Sequence, residues 1–163
     1  MVIAAQADGK RIGRIRMRRI PDAGAESLLS FISDVIEPGS QVHTDGWSGY
    51  SGINEAGCQH IITNLKQSAT SASELLPRVH LVASLLKRWI LGTHQGAVSP
   101  AHLDGYLNEF TFRFNRRTSS SRGMLFYRLL QNAMRTEPAP YKKIIKGARS
   151  GPEKSPRKRS DLT

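Results

Sequence analysis

The feature that most constrains the fold of this chain is the order of its strand-like and helix-like segments. An Asp8-Gly9 turn joins two strand-like runs, at 2–7 and 11–20, and predicts a β-hairpin. The apolar residues of the second run do not alternate strictly, which indicates a β-bulge or a frayed edge. The chain then continues with a helix (about 22–37), a strand (40–45), a short helix (50–56) and a strand (60–65). Strands that alternate with helices predict an α/β domain.

The C-terminal half is predicted to be helical. After a polar linker at 66–74, helical patterns cover about 75–91, a stretch that starts at Ser99-Pro100, and 122–135. Ser99 is the predicted N-cap, with proline at the first helical position. The stretch after it carries apolar residues at helical spacing, which predicts a core-facing stripe formed by Leu103, Tyr106, Leu107, Phe110 and Phe114.

Charge and composition narrow the class of protein. The 163 residues carry a net charge of +11, and from Tyr141 to Ser160 eight cations stand against one anion. This excess predicts a disordered basic tail over 136–163 and makes nucleic acid the first partner to consider, although a tail that only confers solubility has the same composition. No run approaches the roughly 18 apolar residues of a membrane span.

The cysteine content and the N-terminus indicate the compartment. The single cysteine, Cys58, excludes a disulfide framework and a cysteine-based zinc site, and we expect it to be a small buried apolar residue. The N-terminal residues do not resemble a secretory signal. We therefore expect a cytoplasmic protein with no membrane partner.

Asp45 is the first candidate functional residue, because it ends a predicted strand and precedes Gly46. A carboxylate at the carboxyl edge of a sheet lies where α/β proteins bind ligands, and it can hold a divalent cation. The same Asp-Gly pair also forms Asx turns that only close a strand. The residues alone leave both roles open.

His80 and Lys87 form the second candidate group, on the predicted helix over 75–91. They stand seven residues apart, close to two helical turns, and Ser84 lies on the same face. Such a column can present a metal or proton ligand beside a phosphate-binding cation. It can equally be an exposed polar face.

The third candidate is FTFRFNRR at 110–117, in which phenylalanines are interleaved with arginines. Aromatic and cationic side chains together can stack bases and contact phosphates. Because Phe110 and Phe114 belong to the predicted core stripe, we expect buried aromatic rings beside arginines that contact phosphates.

From about Gly13 to Ala133 the chain resembles bacterial insertion-sequence transposases with an ISXO-like DDE domain. The stretches that carry the resemblance are GRIRMRRI, PGSQVHTDGWSGY, LPRVHLVASLLKRWILGTHQGAVSPAHLDGYLNEFTFRFNRR and SRGMLFYRLL. The resemblance implies a ribonuclease-H-like mixed sheet flanked by helices, here with C-terminal helical elaboration. Residues 1–135 would then be a partial catalytic domain, followed by the basic tail at 136–163.

The function that the resemblance implies is DNA transposition. Two Mg²⁺ or Mn²⁺ ions would support DNA strand cleavage and strand transfer, with transposon ends and target DNA as partners. Asp45 matches the family's second catalytic acid, His80 its third metal-binding position, and Lys87 a cation that contacts DNA. Other cations expected to contact DNA are Arg88, Arg113, Arg116, Arg117, Lys142 and Lys143.

The residue at the third position affects the choice of metal. Branches of the family carry Glu, Asn or His there, and His80 fits a minority variant. A neutral imidazole brings no charge and favours softer ions than Mg²⁺, so we expect Mn²⁺ to support activity better.

The resemblance also predicts what is missing. The family's first catalytic Asp lies on a central strand that precedes the one matching 2–7, and neither Asp8 nor Asp22 takes its place. In the family's strand order, 3-2-1-4-5, the hairpin and the pair at 40–45 and 60–65 would lose their common neighbour and expose two edges. We expect low stability or association, with a second copy or an intact transposase. A cooperative unfolding transition of a monomer would contradict this.

Two functional hypotheses follow. The first is a DDE-type transposase that is inactive as this chain, because its set of metal ligands is incomplete. The alternative is a non-catalytic DNA-binding relic that interferes with an intact transposase. An RNA- or ribosome-associated basic protein would use the tail and the Phe/Arg segment, but it leaves the placement of Asp45, His80 and Lys87 unexplained.

Overall fold

The computed structural model describes residues 1–63, 75–96, 98–138 and 140–142. The strands are β1 (Val2–Asp8), β2 (Arg11–Arg18), β3 (Gln41–Thr44) and β4 (Gln59–Ile62). The helices are α1 (Ala25–Val35), α2 (Pro77–His94), α3 (Leu103–Asn115) and α4 (Arg122–Arg135), with 3₁₀ turns at Ser48–Ile53 and Pro100–His102. The predicted linker and Lys143 with the tail after it lie outside the described residues. The predicted order of strands and helices is confirmed, and the chain is a mixed α/β protein.

The predicted hairpin is present and carries a bulge. Strands β1 and β2 pair antiparallel around Gly9, whose φ is +54°. Ala5 faces Ile15, but Ala7 faces Ile12, so β2 has one extra residue in this interval. The bulge is closed by Gln6, whose Oε1 accepts a hydrogen bond from the Arg14 amide at 3.1 Å.

Strand β1 separates two hydrophobic clusters. The α1 cluster consists of Val2, Leu28, Phe31, Ile32, Ile53 and Cys58, with Ala4 and Val42 packed against it. The α2–α3 cluster consists of Ile15, Val82, Leu86, Leu107 and Phe110, with Ile3, Ala5 and Met17 packed against it. Alternate residues of β1 therefore enter opposite clusters, as the period of a strand requires. The burial of Cys58 confirms its prediction as an apolar core residue.

The helices bury the faces that their patterns predicted. Ser99 caps the 3₁₀ turn before α3, since its Oγ accepts from the Ala101 amide at 3.2 Å. On α3, Leu107 and Phe110 are buried, and Leu103 and Phe114 pack beside them. Helix α4 differs, because none of its described side chains is buried.

The outer edge of β2 is covered by the end of α3. The side-chain amide of Asn115 accepts from the Ile15 amide at 2.7 Å and donates to the Ile15 carbonyl at 3.0 Å. Arg117 donates to the carbonyls of Ile12 and Gly13 beside the bulge. Side chains therefore supply hydrogen bonds that another strand would have made along residues 12–15, which disfavours strand addition there.

The described residues form two separate two-stranded sheets, in agreement with the predicted loss of a common neighbour strand. The single mixed sheet that the resemblance implies for the family does not form among them. Strands β1 and β2 make one sheet, and the parallel strands β3 and β4 make the other. No described strand lies between them, so the hairpin and the parallel pair share the α1 cluster but no ladder of hydrogen bonds. The expectation of low stability or association stays a prediction.

Replacing Asn115 tests the coverage of the β2 edge. We expect Asn115→Ala to lower the free energy of unfolding by about 1–3 kcal/mol, because it leaves the half-buried amide and carbonyl of Ile15 without partners. Urea unfolding measures the change. Asn108→Ala, at an exposed position of the same helix, is the matched control and should change stability by less than about 0.5 kcal/mol. Equal losses in the two variants would contradict the assigned role.

Candidate functional site

Asp45 lies in the tight turn that follows β3 and is exposed. Its Oδ1 accepts a hydrogen bond from the Trp47 amide at 3.2 Å, which is the Asx-turn geometry foreseen as its structural role. Gly46 has a φ of +78°, and a Cβ there would lie 2.9 Å from the Ile62 side chain, so glycine is required. The turn thus fixes the carboxylate through one oxygen, while Oδ2 has no hydrogen-bond partner among the described residues.

A polar pair across β3 and β4 supports this turn. Thr44 Oγ1 lies 2.8 Å from His60 Nε2 and accepts from the Gly46 amide at 3.3 Å. Thr44 is the buried polar side chain of the core. His60 was not among the candidate residues of the sequence analysis, and its position two residues after Cys58 gave no signal of this contact. Its imidazole holds the hydroxyl that orients the Asp45 turn.

Tyr50 follows the same turn: its amide donates to the Trp47 carbonyl at 3.0 Å, and its side chain packs against the α1 cluster. Burial raises the pKa of its hydroxyl above the ordinary tyrosine value, and the negative charge of Asp45 raises it further. The two causes act in the same direction, because each disfavours the tyrosinate.

The polar column on α2 faces outward, as predicted. His80, Ser84 and Lys87 are exposed, while Val82 and Leu86 on the opposite side are buried. Arg88 is exposed beside the column. Helix α2 packs against β1, whereas Asp45 follows β3, so the two candidate groups sit on different elements.

The metal centre implied by the family was tested against the side chains present. In the part of the chain that the structure describes, no three side chains of His, Cys, Asp or Glu come together as a metal site. Asp45 and His80 alone offer too few ligands for two hard cations, which prefer several oxygen donors each. The described side chains therefore do not fit a two-ion centre by themselves.

Each of the three arginines after Phe110 has a partner within the chain. Arg113 forms an ion pair of 2.8 Å with Glu109, and Arg116 stacks on the Phe112 ring with 3.8 Å between guanidinium carbon and ring centre. Arg117 stacks on Phe114, with 3.9 Å between guanidinium carbon and ring centre, and also donates to the carbonyls of Ile12 and Gly13 beside the bulge. Contact of these three arginines with phosphates stays a prediction, as it does for Lys142, which is exposed.

Arg78 is a cation that the sequence analysis did not single out. Its guanidinium donates to the carbonyls of Gly9, at 2.5 Å, and Arg11, at 3.4 Å. It thereby ties the start of α2 to the hairpin turn. Because carbonyls are neutral, the positive charges of Arg78 and Arg117 are fixed in place without being cancelled. No local pattern could have revealed these pairings, since the partners lie 67 or more positions apart.

Comparison with known families supports the resemblance found from the sequence. The family model described as ISXO2-like transposase domain matches residues 1–115. The match includes Asp45, His80, Lys87 and Arg113 and ends before Arg116, so α4 and the basic tail lie beyond it. No curated protein and no solved structure matches the chain. No helix in the described part of the chain is long and apolar enough to cross a membrane.

Titration of Tyr50 tests the placement of the Asp45 carboxylate. We expect Asp45→Asn to lower the Tyr50 pKa, while burial keeps it above the ordinary value. Since a raised tyrosine pKa destabilises the fold as pH rises through about 10, the variant should also lose less stability there. Tyrosinate absorbance against pH measures the shift. Glu55→Gln, another exposed carboxylate of this region, is the control, and an equal shift in both variants would contradict the placement.

Proposed function

Because the chain belongs to the family of the ISXO2-like transposase domain, we propose that it is a DNA-binding DDE-type transposase domain that does not cleave DNA as this chain alone. The observation that carries the proposal is the family match over residues 1–115. Its DNA partners are transposon ends and target DNA. The domain spans 1–135, and the basic segment at 136–163 adds sequence-independent attraction to phosphates.

The proposed roles follow the family pattern. Asp45 supplies a metal-binding carboxylate, supported by its unpaired Oδ2 at the end of β3. His80 supplies a second ligand, and Lys87 with Arg88 contacts the DNA backbone, supported by their shared exposed face on α2. Asp45 and His80 would help to hold a divalent cation, Mg²⁺ or Mn²⁺, only together with further ligands.

Cleavage requires ligands that the described residues do not bring together. A further carboxylate would have to join Asp45 and His80 before two ions could be held. No catalytic step is therefore assigned to this chain. This supports the second candidate function as well: a DNA-binding, non-catalytic protein that competes with an intact transposase for the same DNA.

DNA binding is the first part of the proposal to test. Fluorescence anisotropy with a labelled duplex should give an affinity that falls steeply with salt. Lys87→Gln with Arg88→Gln should weaken binding about tenfold and reduce the salt slope by about 2. Arg128→Gln with Arg135→Gln removes the same charge from exposed positions of α4 and is the matched control. Equal losses in the two double variants would mean that binding depends on net charge and not on α2.

Catalysis is tested separately by nicking of supercoiled plasmid with Mg²⁺ or Mn²⁺. We expect no nicking by this chain that depends on Asp45, because its ligand set is incomplete. Asp45→Asn is the control that exposes contaminating nucleases, since it should leave any background unchanged. Nicking that Asp45→Asn abolishes would overturn the inactive form of the proposal and favour an enzyme. A preference for Mg²⁺ in such nicking would count against His80 as a ligand.

A further inference from the structure

A groove separate from Asp45, His80 and Lys87 opens between the hairpin turn, α2 and α3. Its volume is about 580 Å³, within the range of small-molecule sites. The floor is apolar and is made by Ile12, Leu81, Leu85, Trp89, Phe110 and Phe114. The rim is cationic and is made by Lys10, Arg11, Arg113 and Arg117. None of the candidate metal ligands lines it.

The aromatic floor is rigid. The Trp89 ring is half-buried and packs against Phe110, Tyr106 and His94, with ring centres 5.7, 6.4 and 4.9 Å away. Phe110 in turn packs against Phe114 at 6.0 Å. Rings that pack against one another in this way are held in one orientation. A further ring can therefore stack on them with little loss of side-chain conformational entropy.

An apolar residue of the floor is left open. Leu81 is 52% exposed and lies about two helical turns before Trp89 on α2, with Leu85 between them. An exposed leucine on an apolar floor with a cationic rim is unlike an ordinary solvated helix face. Covering this floor with a flat apolar group is favourable, because it removes apolar surface from water.

The charge of the rim identifies the ligand class. All four charged side chains that line the groove are cations, and no described acidic residue lines it. Glu109 balances Arg113, but the partners found for Arg117 are neutral carbonyls and the Phe114 ring. Arg78 adds a further fixed charge next to Lys10 and Arg11. A ligand that fits carries a flat ring and an anionic backbone.

We propose that this groove binds an unpaired nucleotide of a DNA strand, with its base stacked on Trp89 and its flanking phosphates paired with the cations of the rim. Stacking on aromatic rings beside a basic track is how proteins hold single strands. A duplex keeps its bases stacked inside and cannot offer one to the floor. This inference rests on the proposed function in supposing DNA as the ligand, and it adds a preference for unpaired strands.

The fluorescence of Trp89 tests the proposal directly. The chain has two tryptophans, so Trp47→Phe leaves Trp89 as the single reporter in the full chain. An oligothymidylate of about 8 nucleotides should quench its emission. An abasic oligonucleotide of the same length should not quench, because it has phosphates but no bases to stack. Equal quenching by the two strands would overturn base stacking.

Variants locate the binding. Leu81→Glu places a carboxylate on the floor and should weaken oligothymidylate binding about tenfold or more. Leu91→Glu is the matched control, since Leu91 is also an exposed leucine of α2 but does not line the groove. It should change the affinity less than twofold. Lys10→Glu, in the exposed hairpin turn, reverses a rim charge without touching the core and should weaken binding in the same direction.

Duplex binding separates this inference from the proposed function. Leu81→Glu should weaken duplex binding no more than the equally charged Leu91→Glu does. If duplex DNA binds but oligothymidylate neither quenches Trp89 nor responds to Leu81→Glu, the groove inference fails and the proposed function stands. If neither DNA form binds, both fail. Competition by a glutamate-rich peptide with one phenylalanine, as effective as oligothymidylate, would overturn the assignment to a nucleotide in favour of an acidic peptide.

Discussion

The fold depends on strand β1, whose first four residues pack into hydrophobic clusters on both faces. Side chains of β1 enter the α1 cluster with Val2 and Ala4 and the α2–α3 cluster with Ile3 and Ala5. Among the described strands, β1 is the one that contacts both clusters. The apolar residues of its partner β2 pack into the α2–α3 cluster only. The other face of β2 carries arginines, of which Arg18 pairs with Asp34 of α1 at 2.8 Å. A strand buried in this way is typical of the middle of a sheet.

The edges of the two sheets are treated differently. Asn115 and Arg117 occupy part of the outer edge of β2. The described residues supply no comparable partners for the free edges of β1 and β3, although both strands border the α1 cluster. In the described part of the chain, the edge of β2 is therefore partly covered, whereas the edges of β1 and β3 are open. The expectation of association derives from these open edges.

The cationic side chains of α2 and of the groove differ in how they are held. On α2, Lys87 and Arg88 project into solvent, where they are suited to a flexible search of the DNA backbone. Around the groove, Arg78 and Arg117 are anchored to neutral carbonyls and keep their charge at fixed positions. Cations at fixed positions beside packed aromatic rings favour a ligand of one geometry. Cations that project into solvent can contact phosphates in many arrangements. This difference is the basis for assigning the unpaired strand to the groove.

The sequence by itself determined the order of elements, the hairpin and its bulge, the core face of α3 and the family. These follow from local periodicity, turn residues and motif spacing, which act within about ten positions of the chain. It also singled out Asp45, His80 and Lys87 as candidates; all three are exposed, and their roles stay proposals. The apolar run VIAA predicted a strand, but not the two clusters that this strand joins.

Only the tertiary structure decided how distant residues meet. Four features join positions that are far apart in the chain or on different strands. They are the hydrogen bonds of Asn115 to β2, those of Arg78 to the hairpin turn, the contact of His60 with Thr44, and the groove over Trp89. Their side chains show no periodic signal, because a hydrogen bond to a backbone carbonyl places no demand on the partner's residue type. The same reason explains why the described strands form two sheets: local patterns predict strands, but pairing depends on which neighbours the fold brings to each edge.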